Sequence, residues 1–332
     1  MNVDIIGGGI SGLSSATTLK ELNPTINVTL YEKYKTIGYN YEGRRCGEAY
    51  AFPKFRDKWK PDEKSIFNTI TKWKFFFGEK TRIIHLPEGK HFILNRQEFI
   101  NKMAKKTEKL GVKILVNKKI RTVKDLKCDY IIDASGCPST VKREFGFPQR
   151  SVGVTYQQTI EDSNCFEPDT MSFYFSGNGY YWIFPRDPNK NEVNVGIGIS
   201  RTIKINLKVL LEKFKLKQNI KGNVNYIVGG LVPIGIQHPL LYDNILFVGD
   251  AGIGCEPISG AGVPRGLISG HIAAKCIADQ CVKKYPQMIK KRYNRWDMIE
   301  KNYIKMNDIL YKLNPDFVIK TGNIAFKILN NI

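Results

Sequence analysis

The start of the chain shows apolar runs separated by glycine and proline. Residues 3–6 form an apolar run of strand length, and apolar positions between 10 and 19 follow helical spacing. Pro24 ends that helix, and residues 26–31 alternate between apolar and polar positions. The pattern predicts a strand, a helix and a second strand, which together make a βαβ unit.

Further along, β-strand patterns dominate two blocks. Residues 73–77, 81–86 and 91–94 indicate three antiparallel strands joined by tight turns, and a helix is predicted from 99 to 111. Aromatic-rich alternation after Ser151 predicts a large antiparallel sheet. The remaining strands are expected at residues 112–116, 130–132, 152–160, 171–175, 180–184, 193–199, 223–228 and 245–248, with a helix at 207–214.

The last part of the chain is helical by pattern. A helix is predicted for residues 262–278. The tail from 285 to 332 carries apolar residues at helical spacing, with Pro315 separating two helices. An apolar stripe with many lysines is typical of a helix that caps a core, and contact with a membrane face is the alternative.

The turn after the first strand carries the spacing of a dinucleotide-binding loop. Gly7, Gly9 and Gly12 form a GxGxxG pattern directly before the helix, and Glu32 follows the second strand. In this fingerprint the glycines let the backbone approach a pyrophosphate, and the acid binds ribose hydroxyls. Because an acid suits an unphosphorylated ribose, the sequence predicts FAD or NAD rather than NADP.

A second motif indicates which of these cofactors is bound. Asp250 ends a buried strand, and a glycine-rich turn containing Gly260 and Gly262 opens the next helix. A strand-end aspartate can accept hydrogen bonds from ribityl hydroxyls, and a helix N-terminus stabilises negative charge on a reduced flavin ring. The two motifs together favour FAD.

The protein is strongly basic, with 51 Lys+Arg against 31 Asp+Glu and a net charge of +20. A lysine-rich solvated surface explains this charge as well as an anionic partner does. The candidate partners are a phospholipid surface, a phosphorylated substrate or nucleic acid. No nucleic-acid-binding motif is recognisable, so nucleic acid is not expected.

The cysteines and the apolar runs limit the cellular setting. Seven cysteines without a CxxC pair argue against a disulfide framework and against a zinc site, so no metal is expected. No apolar run approaches the ~20 residues that cross a bilayer, and no signal segment precedes the first strand. A cytoplasmic protein is therefore expected.

Four elements together resemble the geranylgeranyl reductase family, part of the FAD-dependent p-hydroxybenzoate hydroxylase-like superfamily. The GxGxxG loop with its acid and the Gly-Asp element identify the superfamily. Two more specific elements indicate the archaeal prenyl reductases, and the resemblance spans roughly residues 1–280. The elements are the Gly7–Gly12 loop with Glu32, Arg45-Cys46-Gly47-Glu48, Tyr180-x-Trp182-x-Phe184-Pro185, and Gly249-Asp250 with Pro257-x-x-Gly260-x-Gly262.

The resemblance implies roles for individual residues. Gly12 and Glu32 would hold the ADP half of FAD, and Asp250 would meet the ribityl-phosphate region. Cys46 is the candidate catalytic thiol, as a proton donor or a gate. The residues along the flavin would be Arg45, Cys46, Glu48, Arg96, Gly262 and Val263, and the wall of a prenyl tunnel would be Tyr180, Trp182, Phe184 and Pro185.

The resemblance also implies an activity and partners. Members of the family saturate isoprenoid double bonds, and digeranylgeranylglycerophospholipid, an archaeal membrane lipid precursor, is the implied substrate. A prenyl diphosphate and a quinone stay open as substrates. NADPH and a ferredoxin-like carrier stay open as electron donors. Peripheral contact with an anionic inner membrane surface would fit the net charge.

The fold implied is α/β, with a Rossmann-like FAD-binding domain interleaved with a mixed or antiparallel β-sheet substrate domain and a C-terminal helical segment. The FAD-binding domain is expected at residues 1–70, 97–150 and 240–280. The substrate domain is expected at 71–96 and 151–239, and the C-terminal helices at 281–332.

Other functions fit parts of this pattern. An FAD-dependent aromatic monooxygenase would need a compact polar pocket, whereas the sequence offers a sheet rich in Phe, Tyr and Trp. A flavin halogenase would carry a tandem-Trp motif, from which Tyr180-Tyr181-Trp182 departs. A basic flavoprotein that binds RNA or a lipid surface would account for the net charge.

Overall fold

The predicted βαβ unit is present in the computed structural model, which describes residues 1–38, 47–52, 59–148, 151–176, 179–200 and 206–313. β1 (Asn2–Ile6) leads into α1 (Ile10–Leu22), and β2 (Asn27–Tyr31) lies parallel to β1. Small residues line the contact between α1 and a later helix, because a Cβ at Gly270 would lie 2.4 Å from the Ser11 carbonyl oxygen.

The first compact unit comprises residues 1–44, 96–152 and 231–298. Its six-stranded sheet has the order β15-β16-β9-β1-β2-β8, with β15 antiparallel and the other strands parallel. Its remaining elements are β8 (Lys113–Leu115), β9 (Tyr130–Asp133), β15 (Leu241–Tyr242), β16 (Ile245–Phe247), α2 (Arg96–Lys109), α3 (Thr140–Glu144) and α5 (Val263–Ala278). A parallel sheet flanked by these helices confirms the Rossmann-like prediction.

The second compact unit comprises the described residues within 47–95, 153–230 and 299–313. It holds a seven-stranded sheet of order β14-β10-β13-β12-β11-β5-β6 and a three-stranded sheet of order β3-β7-β4. Within the larger sheet β5 is parallel to β11, which makes the sheet mixed. The elements are β3 (Ala49–Ala51), β4 (Ile66–Ile70), β5 (Lys72–Phe77), β6 (Lys80–His85), β7 (His91–Leu94), β10 (Val152–Glu161), β11 (Thr170–Ser176), β12 (Gly179–Asp187), β13 (Glu192–Ser200), β14 (Asn223–Pro233) and α4 (Leu207–Lys217).

The three-stranded sheet corrects one sequence prediction. β7 was expected to continue the meander of β5 and β6, but it pairs with β3 and β4 instead. β7 is buried along most of its length, as a central strand is, whereas β6 is a largely exposed edge strand. β3 and β4, placed in the FAD-binding domain by the sequence, group with the second unit because both strands pair with β7.

The seven-stranded sheet has an apolar cluster on each face. Side chains alternate along β12, so Trp182 and Phe184 join one cluster and Ile183 joins the other. The Trp182 cluster includes Ile70 and Ile93 of the three-stranded sheet. The Ile183 cluster includes Leu211 and Phe214 of α4, so that face is covered by a helix.

The C-terminal tail begins with one long helix, α6 (Tyr285–Leu313). Its residues up to Met298 belong to the first unit, and those after it belong to the second. Pro315, which was expected to separate two helices, lies outside the described residues. In the part of the chain that the structure describes, no helix is long and apolar enough to cross a membrane.

Candidate functional site

The glycine-rich loop of the first unit is shaped by close backbone contacts. A Cβ at Gly12 would lie 2.0 Å from the Gly7 carbonyl oxygen, and one at Gly7 would lie 2.4 Å from the Ala134 carbonyl oxygen. Gly7 has φ +107 and donates its N–H to the Tyr31 carbonyl. Around Gly9, by contrast, no described atom lies within 4 Å of the position a Cβ would take. Gly7 and Gly12 therefore fix the loop, and Gly9 faces open space at the start of α1.

The Glu32 side chain stabilises this loop through hydrogen bonds. Its carboxylate is buried and accepts hydrogen bonds from the Gly8 N–H at 2.8 Å and the Tyr34 N–H at 3.0 Å, one on each oxygen. Each carboxylate oxygen has a further acceptor site. Ribose binding by Glu32 stays a prediction, and the structure adds a second task, holding the glycine loop in place.

Asp250 lies in a short helical turn directly after β16, beside the start of α5. A Cβ at Gly262 would be 3.9 Å from its Oδ1, and Val263 is the first residue of the helix. The Asp250 side chain reaches solvent, yet desolvation by the atoms packed around the carboxylate raises its pKa. The positive charges of Arg96 and Arg265 oppose that rise.

Arg96, at the start of α2, offers an unused donor. Its buried Nε has no hydrogen-bond partner among the described residues. A buried donor without a partner loses the hydrogen bonds that water would supply, so it favours an anionic or accepting ligand. The open position at Gly9, the free Arg96 Nε and the Asp250 carboxylate are the groups that a dinucleotide with a pyrophosphate and a polyhydroxyl chain requires. These residues fit FAD.

A buried ionic network holds one end of β12 in the second unit. Arg186 donates from Nε to Glu48 Oε2 at 2.5 Å and from Nη1 to Glu192 Oε2. Asn194 donates to the same Glu48 oxygen at 3.3 Å, and the guanidinium lies 3.9 Å from the centre of the Phe67 ring. Burial tends to lower the pKa of Arg186, but the two glutamates outweigh it and raise the pKa above its ordinary value.

This network joins the two specific elements of the sequence. Glu48 closes the Arg-Cys-Gly-Glu element, and Arg186 directly follows the Tyr-x-Trp-x-Phe-Pro element. A Cβ at Gly47 would lie 3.1 Å from the Phe184 ring, which is a second contact between them. Two stretches that are 138 residues apart therefore form one site in the folded unit.

Aromatic rings run across three neighbouring strands on the same face. Phe75 stacks on Phe173 at 5.0 Å between ring centres, and Phe173 meets the Phe184 ring at 5.2 Å. Phe175 contacts Tyr180 at 5.7 Å. Phe75, Phe173 and Phe184 are buried, whereas Phe175 and Tyr180 are only half-buried. The half-buried rings are the part of this face that a bound molecule can reach.

Trp182 is fixed over a glycine on the adjacent strand. A Cβ at Gly196 would lie 2.1 Å from the indole ring, so only glycine leaves room for it. The indole N–H donates to Gln157 Oε1 at 3.1 Å in a buried bond. A buried indole N–H without an acceptor is unfavourable, so Gln157 sets the orientation of the ring.

The structure separates the predicted site residues into two groups. Gly7, Gly9, Gly12, Glu32, Arg96, Asp250, Gly262 and Val263 belong to the first unit, and Glu48, Tyr180, Trp182, Phe184 and Pro185 to the second. Arg45 and Cys46 lie outside the described residues. By alternation along β12, Pro185 lies on the sheet face opposite Phe184, and its place in the wall of a prenyl tunnel stays a prediction.

Sequence reasoning missed several buried polar residues. Arg186 had a signal, because it continues the Tyr-x-Trp-x-Phe-Pro element. No sequence signal pointed to Gln157 or Glu192, because their partners are determined by the register of the paired strands. Arg265 and Asp297 likewise belong to no motif, yet they form a buried pair next to the Asp250 turn.

The fold and the glycine loop first define the class. The protein is a Rossmann-type dinucleotide-binding protein with a second, mixed β-sheet unit. A family model described as a geranylgeranyl reductase catalytic domain matches residues 151–232, and one described as an NAD(P)-binding Rossmann-like domain matches residues 5–53.

Individual proteins resemble the chain over most of its length, in sequence or in fold. The digeranylgeranylglycerophospholipid reductase of Methanocella arvoryzae is 25% identical, with 100% of this chain and 91% of that protein covered. A solved geranylgeranyl bacteriochlorophyll reductase-like structure from Thermoplasma acidophilum has a TM-score of 0.81 at 23% identity, covering 96% and 91%. A flavin-dependent brominase variant has a TM-score of 0.73 at 16% identity, covering 96% and 93%. The resemblance to the geranylgeranyl reductase family is thereby confirmed.

Proposed function

We propose that the protein is an FAD-dependent reductase that hydrogenates isoprenoid double bonds of geranylgeranyl lipids, with digeranylgeranylglycerophospholipid as its substrate. The named relatives and the catalytic-domain match support this proposal. The matched residues 151–232 include β10 to β13 and nearly all of β14, which form most of the aromatic sheet.

The observation that carries the proposal is the aromatic face beside the Glu48–Arg186 pair. A prenyl chain has no hydrogen-bonding groups, so it gains most from apolar contact, roughly 0.8 kcal/mol per buried CH₂. Tyr180 and Phe175 present half-buried rings for such contact. Aromatic faces also stabilise positive charge that develops on an alkene carbon during protonation.

The proposed chemistry assigns separate tasks to the cofactor and the chain. When bound, FAD supplies the hydride through its N5 position. The chain holds the lipid, excludes water and delivers a proton to the other alkene carbon. Cys46 stays the predicted proton donor or gate, two residues before Glu48 in sequence.

Three further partners belong to the proposal. NADPH or a ferredoxin-like carrier would reduce the flavin. An anionic membrane surface would attract a protein of net charge +20 and present the phospholipid substrate.

The direct test uses the FAD-loaded protein reduced with dithionite and mixed with digeranylgeranylglycerophospholipid. Mass spectrometry should show the gain of two hydrogens per reduced double bond. A geranylgeranyl diphosphate arm separates a phospholipid reductase from a diphosphate reductase. If neither lipid gains mass, and if aerobic reactions with reduced flavin and halide modify an aromatic substrate, the reductase proposal is wrong.

Two adjacent tyrosines provide a matched test of the aromatic face. Tyr180 and Tyr181 are both half-buried on β12, but Tyr180 packs with the Trp182 cluster and Tyr181 stacks on Phe214 of α4 at 4.3 Å. Tyr180→Ala should raise the KM for the lipid by about tenfold, since it removes apolar contact with the chain. Tyr181→Ala should lower the Tm and leave KM nearly unchanged. Equal KM effects from both variants would place the prenyl chain elsewhere.

A further inference from the structure

The C-terminal helix α6 is tied to the turn that carries Asp250. Asp297 of α6 forms a two-pronged ion pair with Arg265 of α5, with Nη1 and Nη2 at 2.8 and 2.9 Å from the two carboxylate oxygens. Both side chains are buried. Such a bidentate pair has a defined geometry, so the position of Asp297 determines the position of the guanidinium.

Arg265 in turn forms hydrogen bonds with the cofactor loop, which we define as residues 249–255. Its Nε donates to the Gly254 carbonyl at 3.1 Å, and Nη2 donates to the Ile253 carbonyl at 3.0 Å. At the other end of the loop, the Gly249 carbonyl accepts hydrogen bonds from the N–H groups of Gly252, Ile253 and Gly254. The guanidinium therefore holds the same residues that close the turn around Asp250.

Asp297 also holds the segment that packs beneath the cofactor loop. Its Oδ2 accepts the N–H of Ile236 at 2.8 Å. The adjacent segment in turn bonds to the loop, because Gln237 donates its N–H to the Gly252 carbonyl and Gly235 donates to the Cys255 carbonyl. One carboxylate thus organises both sides of the loop.

The pair also sets the charge near Asp250. The positive charge of Arg265 acts to lower the pKa of Asp250, and Asp297 pairs with the same guanidinium at 2.8 Å. Without Asp297, Arg265 would be a buried cation whose charge acts more strongly on Asp250. Since that charge favours the ionised form of Asp250, weaker FAD binding without Asp297 would come from displacement of the loop rather than from loss of the Asp250 charge.

We infer that Asp297 is a positioning residue for the FAD site: through Arg265 it fixes the cofactor loop and keeps the Asp250 carboxylate available to the ribityl chain. This inference rests on FAD as the cofactor of the proposed function. It gives the C-terminal helix, for which the sequence suggested only a capping or membrane role, a part in cofactor binding.

The test measures FAD binding to the full-length protein, with no lipid present, for Asp297→Asn. The dissociation constant for FAD should rise by at least tenfold, and the reduction potential of the bound flavin should shift. The matched control is Tyr285→Phe, since the Tyr285 hydroxyl anchors the same helix to the first unit by a buried 2.7 Å bond to the Phe247 carbonyl. Unchanged FAD affinity in Asp297→Asn, or an equal loss in Tyr285→Phe, would overturn the inference.

Two further variants separate positioning from loss of folding. Arg265→Met with Asp297→Leu should lower the Tm less than Asp297→Leu alone, because no unpaired charge stays buried even though three backbone groups lose their partners. FAD binding should stay weak in that double variant, since the carbonyls of Ile253 and Gly254 lose their donor. Asp297→Glu should recover part of the affinity.

A double variant with wild-type FAD affinity would show that the pair serves stability alone. If the wild-type protein binds FAD normally but reduces no prenyl lipid, the proposed function fails and the role of Asp297 stands. If the wild-type protein does not bind FAD, the inference is wrong as well.

Discussion

The candidate sites of the two units consist of different chemical groups. In the first unit the candidate site combines glycine backbone at its closest approaches and a helix start with two short-range side chains, Arg96 and Asp250. In the second unit they are side chains, stacked rings and a buried arginine between two glutamates. A backbone site depends on spacing along the chain, whereas a side-chain site depends on which strands pair and in what register.

The largest effect should come from the backbone site. In Gly12→Val, the new Cβ would meet the Gly7 carbonyl oxygen at 2.0 Å, so the loop and α1 must separate. FAD affinity should fall by at least about a hundredfold, measured by flavin fluorescence. Gly9→Ala is the comparison, because a Cβ there meets no described atom within 4 Å. The Tm of Gly9→Ala should stay near the wild-type value, while its FAD binding weakens. Normal FAD binding by Gly12→Val would show that the glycine backbone does not form the FAD site.

The side-chain site should respond through stability. Arg186→Met removes the buried guanidinium that pairs with Glu48 and Glu192, which should cost about 3–5 kcal/mol in the free energy of unfolding. Lys190→Met removes an exposed pair with Glu161 and should leave that free energy nearly unchanged, because solvent screens exposed ion pairs. Denaturant titration measures both. Similar values for the two variants would mean that the Arg186 network is not a fixed part of the second unit.

A third substitution tests whether the stability of the first unit depends on the buried charge of Lys142. Lys142 is buried, donates to the Gln237 carbonyl at 2.7 Å and lies 4.7 Å from the Phe247 ring centre. Burial lowers the pKa of Lys142 to about 8, an effect partly opposed by Asp133. The folded protein therefore releases this proton at a lower pH than the unfolded chain. Burying the charged amine costs stability below about pH 8, and that cost disappears as pH rises towards the ordinary lysine value.

Lys142→Met should expose this dependence. Relative to the variant, the wild-type free energy of unfolding should increase between pH 7 and pH 10, by up to about 3 kcal/mol. Denaturant titrations of both proteins at the two pH values measure it. A difference that does not change with pH would show that Lys142 is not charged and buried in the folded state at neutral pH.

The same contrast explains what could be predicted from the sequence. The glycine loop, Glu32 and Asp250 were identifiable because their roles follow from distances of a few residues along the chain. The pairing of Glu48 with Arg186 was not, although the elements containing them were both recognised. The position of Pro185 on the opposite face follows from alternation along β12 and could have been foreseen.

The remaining errors concern strand pairing. Residues 91–94 have the same apolar character whether they extend a meander or occupy the centre of a small sheet. Only the pairing with β3 and β4 decides between these, and β3 has three residues, too short to give a periodic signal. Asp297 lies on a helix without a motif, so its partner Arg265 could not be inferred from spacing.

The separation of Glu48 from Arg186 has a consequence for biosynthesis. The two residues are 138 positions apart, and a ribosome that adds about 5–20 residues each second takes on the order of ten seconds to bridge that gap. Until then the Glu48 carboxylate lacks the Arg186 guanidinium, even after β3 has paired with β7. Translation of β12 is therefore the moment at which this part of the nascent chain can first close, and a shorter N-terminal fragment should not be expected to assemble it.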